Sequence, residues 1–236
     1  MTQSESKKER KMNLGYEIFV GIISILSILN IFLNIIYRYL SIDADVTGVL
    51  DIMNGLFTFI FLGDFTYRIL TAPSKREYFF RDFGWADLLA SIPFEQGVFK
   101  ILRVFRLYRV YRLMKNVGPK TIVNTLTKDR AGSALYVLLL MGILVLQFGA
   151  IGVLKAESVN PDANIKTSAD AVWYVIVTIS TVGYGDRYPT TGWGRIVGTL
   201  TILIGVGIFG TFTGFLANFF LSPAKKEEEE VAPEKK

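Results

Sequence analysis

The sequence TISTVGYGD at residues 178–186 runs from an apolar helical segment directly into a loop in which glycine alternates with larger residues. Gly183 and Gly185 can adopt backbone angles with φ > 0, which residues with a Cβ resist. The alternation predicts that successive carbonyl groups point towards one axis. A row of aligned carbonyls is a ligand set for a dehydrated monovalent cation. One chain supplies only one side of such a row, so a symmetric ring of copies is required to enclose the ion.

The run Thr181–Asp186, with the sequence TVGYGD, resembles the selectivity filter of potassium channels without gap or substitution. The resemblance implies that K⁺ ions bind to backbone carbonyls, that no organic cofactor takes part, and that the chain forms a homotetramer. The implied K⁺ ligands are Thr181, Val182, Gly183, Tyr184 and Gly185. The alternative, a glycine-rich surface turn, is disfavoured by the segments that flank the motif.

The composition predicts a membrane protein, because 51% of the 236 residues are hydrophobic and 14% are aromatic. Cysteine and histidine are both absent. Disulfides, zinc sites and nucleophilic chemistry on cysteine or histidine are therefore excluded. The net charge of +5 does not indicate nucleic-acid binding, since most charges flank or lie within apolar segments.

Hydropathy and charge predict six crossings of the plasma or inner membrane, with membrane lipids as partners. Lys75 and Arg76 place one loop inside, the acidic segment 41–47 suits the outside, and both termini are expected in the cytoplasm. The segment Ala169–Ser180 is too short to cross and is expected to re-enter from the outside. The predicted crossings are Tyr16–Leu40, Val49–Leu70, Arg81–Pro93, Val98–Lys115, Ala131–Leu154 and Trp193–Leu221.

In the fourth segment, a cation occurs at every third position from residue 103 to residue 115, and the positions between are apolar or aromatic. Such a strip costs at least ~2.5 kcal/mol per charge within a bilayer, whereas moving one charge through the field yields about 2.3 kcal/mol per 100 mV. The pattern resembles the sensor helix of voltage-gated potassium channels. A basic surface helix or a nucleic-acid arm would instead segregate a broad cationic face. The implied gating charges are Arg103, Arg106, Arg109, Arg112 and Lys115.

Carboxylates on neighbouring helices are the expected partners of these charges. Asp64 lies deep in the second span, and a lone buried carboxylate requires a cationic partner. The resemblance implies that Phe61, Asp64 and Asp87 form the site through which each arginine passes, although Phe61 also suits an ordinary core position. Arg68 and Asp82 are expected to pair near the cytoplasmic face.

The segment before the filter resembles the family's pore helix. Trp173 and Tyr174 carry N–H and O–H donors that are expected to brace Tyr184 and Asp186 from behind the filter. Packing alone is the alternative role for Trp173.

The last span contains the sequence GVGIFG at residues 205–210, which formally matches a dinucleotide-binding loop. No strand precedes it and the stretch has membrane length, so that interpretation is rejected. Gly205 aligns with the family's gating hinge. The expected apolar seal at the cytoplasmic mouth is formed by Phe212, Phe215 or Phe219.

The resemblance covers the chain from about Tyr16 to Leu221 and implies an all-α membrane protein with a four-helix voltage-sensor domain and a two-helix pore domain. The implied function is voltage-gated, potassium-selective and passive conduction, with neither enzymatic activity nor a soluble ligand domain. The alternatives are a channel of the cyclic-nucleotide-gated class without its cytoplasmic domain, a stand-alone voltage sensor and a membrane enzyme. The predicted divisions are a tail (1–15), the sensor domain (16–117), a linker (118–130), the pore domain (131–221) and a second tail (222–236).

Overall fold

The computed structural model of the chain describes residues 14–41, 43–80, 84–91, 107, 110–111, 115 and 130–221, without the side chains of 86, 90, 130–133 and 219. Every regular element among these residues is a helix, as the sequence predicts. The predicted tails and linker lie almost entirely outside the described residues, as does most of the predicted sensor helix.

Seven helices occur among the described residues. Four of them are long and apolar enough to cross a membrane, and they coincide with the first, second, fifth and sixth predicted spans. The predicted third segment contains a helix of eight residues. The helices are Leu14–Tyr39 (α1), Ala44–Thr71 (α2), Lys75–Phe80 (α3), Gly84–Ser91 (α4), Arg130–Glu157 (α5), Ser168–Ile179 (α6) and Gly192–Leu221 (α7).

The second helix begins earlier than the sequence analysis predicts, at Ala44 instead of Val49. The Asp43 carboxylate accepts hydrogen bonds from the backbone N–H groups of Asp45 and Val46, at 2.9 and 3.2 Å, and so caps the helix. Burial acts to raise the pKa of Asp43, but hydrogen bonds from the Lys155 ammonium and these N–H groups outweigh burial and lower the pKa. The acidic segment 41–47 is therefore mostly a helix start and only partly a loop.

Two of the helices assigned to the sensor, α1 and α2, pack against helices assigned to the pore in the same chain. One apolar core contains Ile23 of α1, Phe57 of α2, Val153 of α5 and Val175 of α6. Within it, the buried Gln147 amide of α5 donates a hydrogen bond of 2.6 Å to Asn30 Oδ1 of α1. The two predicted domains are therefore joined by a continuous interior.

The ends of α2 and α6 approach each other closely near the N-terminus of each helix. The Ser168 hydroxyl donates to the Asp45 carbonyl at 2.8 Å, and an ideal Cβ at Gly48 would lie 3.0 Å from the Ser168 Cβ. Lys155 and Asp43 form an ion pair beside this contact. The N-terminal end of α2 is thus held against the start of α6.

We expect the pair Gly48→Cys and Ser168→Cys to form a disulfide within one chain, because disulfides need Cβ atoms roughly 3.5–4.5 Å apart and a small shift reaches that range. The chain has no native cysteine, so no other pairing competes. After mild oxidation, non-reducing electrophoresis should show the single-chain species without thiols that can be alkylated, while each single variant keeps its thiol. A ladder of cross-linked dimers and larger species would show that α2 packs against another copy.

Candidate functional site

The start of α6 is fixed by a reciprocal cap. Thr167 Oγ1 accepts the backbone N–H of Asp170, and the Asp170 carboxylate accepts the N–H of Thr167 and of Lys166. Arg187, beyond the filter, donates to the same carboxylate at 2.9 Å. Burial acts to raise the pKa of Asp170, but these hydrogen bonds and the Arg187 charge outweigh it and lower the pKa. This stabilisation is therefore present above the ordinary carboxyl pKa and is lost as the pH falls through the lowered one.

Every second residue of the predicted filter has a positive φ. The angles are +60° at Gly183 and +78° at Gly185, as the glycine spacing predicts, and +58° at Thr181, which the sequence did not indicate. A β-branched residue in this region is an outlier that costs free energy. The alternation of positive φ therefore begins at Thr181, two residues before the first glycine.

The direction of the first filter carbonyls follows from the hydrogen bonds of their peptide groups. The N–H groups of Val182 and Gly183 point back to the Val177 carbonyl at the end of α6, at 3.1 and 3.4 Å. A trans peptide is planar, so its C=O points opposite to its N–H. The carbonyls of Thr181 and Val182 are therefore directed away from α6, towards the open side of the loop.

Trp173 contacts two residues of the predicted filter segment, whereas Tyr174 does not. The Trp173 indole N–H donates to Asp186 Oδ2 at 2.8 Å, and its ring stacks on Tyr184 with a centroid distance of 5.9 Å and an interplanar angle of 6°. Tyr174 is buried in the core, and its hydroxyl lies 2.6 Å from the position that a Cβ would take at Gly198 of α7. Of the two residues expected to brace the filter, the structure brings only Trp173 to Tyr184 and Asp186.

Glu157, at the end of α5, is a buried charged residue that the sequence analysis did not single out. It has no exposed surface. Its Oε2 accepts the backbone N–H and the hydroxyl of Thr190, at 2.9 and 2.5 Å, and its Oε1 accepts those of Thr191, at 2.9 and 2.8 Å. The carboxylate therefore joins the end of α5 to the residues just before α7, on either side of the filter segment. The sequence signal for this role is the presence of an acidic residue at the end of an apolar span.

Helix α7 packs against the C-terminal end of α6 through a glycine. An ideal Cβ at Gly205, the predicted hinge, would lie 2.9 Å from the Ile179 Cα. Phe212 and Phe215, two of the predicted gate residues, are exposed on the single chain, and the side chain of Phe219 lies outside the described residues. Phe212 also lines an apolar cavity of about 400 Å³ between α5, α6 and α7.

We expect Gly205→Ala to disrupt this packing, because backbone atoms at Ile179 cannot move aside as a flexible side chain can. The displacement acts on the end of α6, so the thermal unfolding midpoint of the purified protein should fall by several degrees. Gly207→Ala is the matched control, since a Cβ there meets nothing within 4 Å among the described residues. Equal midpoints in both variants would contradict a packing role for Gly205.

The predicted charge-transfer residues are buried between the sensor helices. Phe61 has no exposed surface, while Asp64 and Asp87 expose 3% and 1%. Asp64 Oδ1 accepts a hydrogen bond of 2.8 Å from Arg68 Nε, and Tyr78 donates to Asp87 at 2.9 Å.

Arg68, which the sequence analysis expects to pair with Asp82, forms two ion pairs among the described residues. It pairs with Asp64, one turn earlier on α2, and with Glu17 of α1 at 3.3 Å. Both ion pairs lie within the α1–α2 pair of helices. Asp82 lies outside the described residues.

The predicted gating charges lie mostly outside the described part of the chain. Lys115 is helical and exposed, as is Leu107, which lies between two of the arginines. The predicted gating charges that lie outside the described residues are Arg103, Arg106, Arg109 and Arg112.

Comparison of the sequence with known proteins identifies a matching family. The sequence profile of the family described as "Ion transport protein" matches residues 15–228. A voltage-gated potassium channel of Aeropyrum pernix is 35% identical over 33% of the chain, and a cyclic nucleotide-gated potassium channel of Rhizobium etli is 30% identical over 49%. Potassium voltage-gated channel subfamily KQT member 4 of Homo sapiens is 30% identical over 41%. The matched segments cover 26%, 33% and 14% of these relatives' own lengths.

Proposed function

The chain belongs to the ion transport protein family, and from that premise we propose that it is a voltage-gated, potassium-selective channel. Potassium passes down its electrochemical gradient through a pore on the axis of a homotetramer. Movement of an arginine-bearing helix in the membrane field opens the pore. The chain therefore transports ions and catalyses no reaction.

The observation that carries this proposal is the alternation of positive φ through the filter segment. It occurs at Thr181, Gly183 and Gly185, and the first carbonyls of the segment face away from α6. In the proposed pore the filter carbonyls, with the Thr181 hydroxyl, replace the water shell of K⁺. The C-terminal, negative end of α6 favours a cation below them.

Assembly into a tetramer accounts for the apolar surface of the single chain. Tyr184 and Val182 are 68% and 53% exposed, and large apolar side chains are exposed along α7, among them Phe209, Phe215 and Phe220. Exposed apolar surface of this extent indicates lipid or protein partners. We assign the strip formed by Phe212, Phe215 and Phe219 to the axis, where these side chains close the cytoplasmic mouth and Gly205 allows α7 to bend.

Voltage sensing is assigned to the helix that carries Arg103, Arg106, Arg109, Arg112 and Lys115. Three to four charges in each of four subunits supply tens of kcal/mol at physiological potentials. The buried carboxylates Asp64 and Asp87 supply countercharge within the membrane, and the Phe61 ring separates inner from outer water. In this arrangement each subunit has six crossings and both termini lie in the cytoplasm.

A second candidate function is a potassium channel of the cyclic-nucleotide-gated class without its cytoplasmic domain, which the similarity to the Rhizobium etli channel favours. The two candidates differ in whether the membrane field opens the pore. Current recorded at a series of voltages without added nucleotide separates them, because only the main candidate then opens with voltage.

Purified protein in a planar lipid bilayer tests the main proposal. With potassium on one side and sodium on the other, the reversal potential should lie close to the potassium equilibrium potential. The open fraction should change with voltage, and the combined variant Arg106→Gln and Arg109→Gln should flatten that dependence while the reversal potential stays unchanged. Equal permeation of sodium, or current that ignores the field in the native protein, would overturn the proposal.

A further inference from the structure

Tyr16, in the first turn of α1, contacts the carboxylate at the centre of the charge-transfer site. Its hydroxyl donates to Asp64 Oδ1 at 2.7 Å. The same oxygen accepts the Arg68 Nε–H at 2.8 Å. One oxygen of a buried carboxylate thus receives a neutral donor from α1 and a charged donor from α2.

The ring of Tyr16 contacts the inner end of α5. Its centroid lies 5.9 Å from that of Tyr136, in an edge-to-face arrangement with an interplanar angle of 61°. Phe19, one turn further along α1, contacts the same Tyr136 ring at 5.9 Å. Tyr136 lies in the second turn of α5, next to the residues assigned to the sensor–pore linker. The side chain that binds Asp64 therefore also packs against the pore domain.

We propose that Tyr16 is a positioning residue that links the charge state of the Asp64 site to the inner end of α5 in the same chain. The inference rests on the proposed function, because it requires a moving sensor charge and a gated pore. It adds a direct contact between sensor and pore, separate from the linker 118–130.

The link follows from competition for one carboxylate. A guanidinium group that moves into the site shares the Asp64 charge, which weakens the hydrogen bond from the Tyr16 hydroxyl. The Tyr16 ring is held between Tyr136 and Tyr67, the latter at 5.8 Å and 68°. Close-packed rings have few alternative positions, so a shift of Tyr16 changes its contact with Tyr136. Occupancy of the charge site is thereby transmitted to α5.

Replacement of Tyr136 and of a second ring that contacts it tests this link. In Tyr136→Leu, which keeps apolar bulk on α5, we expect the charge–voltage curve to keep its midpoint while the conductance–voltage curve separates from it. Phe19→Leu is the matched control, because it removes another α1 ring contact with Tyr136 at the same centroid distance and leaves Tyr16 in place, and its two curves should keep their native separation. Unchanged separation in Tyr136→Leu, or equal separation in both variants, would overturn the link.

Tyr16→Phe independently tests the hydrogen bond from the Tyr16 hydroxyl to Asp64. It keeps the ring against Tyr136 and removes the donor to Asp64, so the charge–voltage midpoint should shift and the conductance curve should follow it. An unmoved charge–voltage curve would overturn the role of the hydroxyl. Charge movement is recorded with potassium replaced by an impermeant organic cation. If the native protein moves charge but conducts no potassium, the proposed function is overturned. If the native protein conducts potassium but the variants do not change its two curves as expected, only the link through Tyr16 is overturned.

Discussion

Channels that carry Gly183→Ala are expected to lose their preference for potassium over sodium. Gly183 has φ +60°, and a residue with a Cβ pays about 1–2 kcal/mol to hold that angle. This corresponds to about a tenfold shift per subunit against the native backbone. Among the described residues of one chain a Cβ at Gly183 meets nothing within 4 Å, so within the chain the effect comes from the backbone angle. Relaxation to negative φ rotates the adjoining carbonyl away from the axis in every subunit.

The reversal potential with potassium and sodium on opposite sides of a bilayer measures this effect. It should move from near the potassium equilibrium potential towards zero. Gly207→Ala serves as the control, since it lies within helix α7, where a Cβ meets no described residue of the chain within 4 Å, and should keep the native reversal potential. Native selectivity in Gly183→Ala would place the ion-binding carbonyls elsewhere.

Glu157→Gln is expected to destabilise the pore domain by about 2–4 kcal/mol per subunit, since hydrogen bonds to charged groups contribute roughly 1.5–3 kcal/mol each and unpaired buried donors cost about as much. Both oxygens of Glu157 accept backbone N–H groups, from Thr190 and Thr191. A glutamine amide can accept on only one side. Its NH₂ group then faces a backbone N–H, which loses its acceptor, while the threonine hydroxyl on that side must turn to accept from the NH₂.

The thermal unfolding midpoint of the purified protein in detergent should fall by several degrees for Glu157→Gln. Asp162→Asn makes the same change of charge on an exposed loop and should leave the midpoint within a degree. A Glu157→Gln protein that unfolds at the native temperature would show that the four hydrogen bonds contribute little net stability.

Features that depend on local pattern could be predicted from the sequence. The apolar runs gave the four long helices within a few residues, and the glycine spacing gave positive φ at Gly183 and Gly185. The start of α2 was misplaced because Asp43 and Asp45 look like loop residues. Carboxylates are equally suited to the first turn and cap of a helix, and the structure uses them there.

Features that depend on contacts between distant elements could not be predicted. Trp173 and Tyr174 were assigned one role, but adjacent helical residues point about 100° apart, so only one of them faces the filter. The partners of Glu157 lie 33 and 34 residues away, and those of Tyr16 lie on two other helices. No periodicity in a single sequence records such pairings.

The shared interior of α1, α2, α5 and α6 has a consequence for the biogenesis of an oligomer. This interior lies within one polypeptide, so in the proposed tetramer its formation requires no second copy of the chain. Exchange of one protomer for another would then leave this interior intact and would require none of these four helices to be unthreaded.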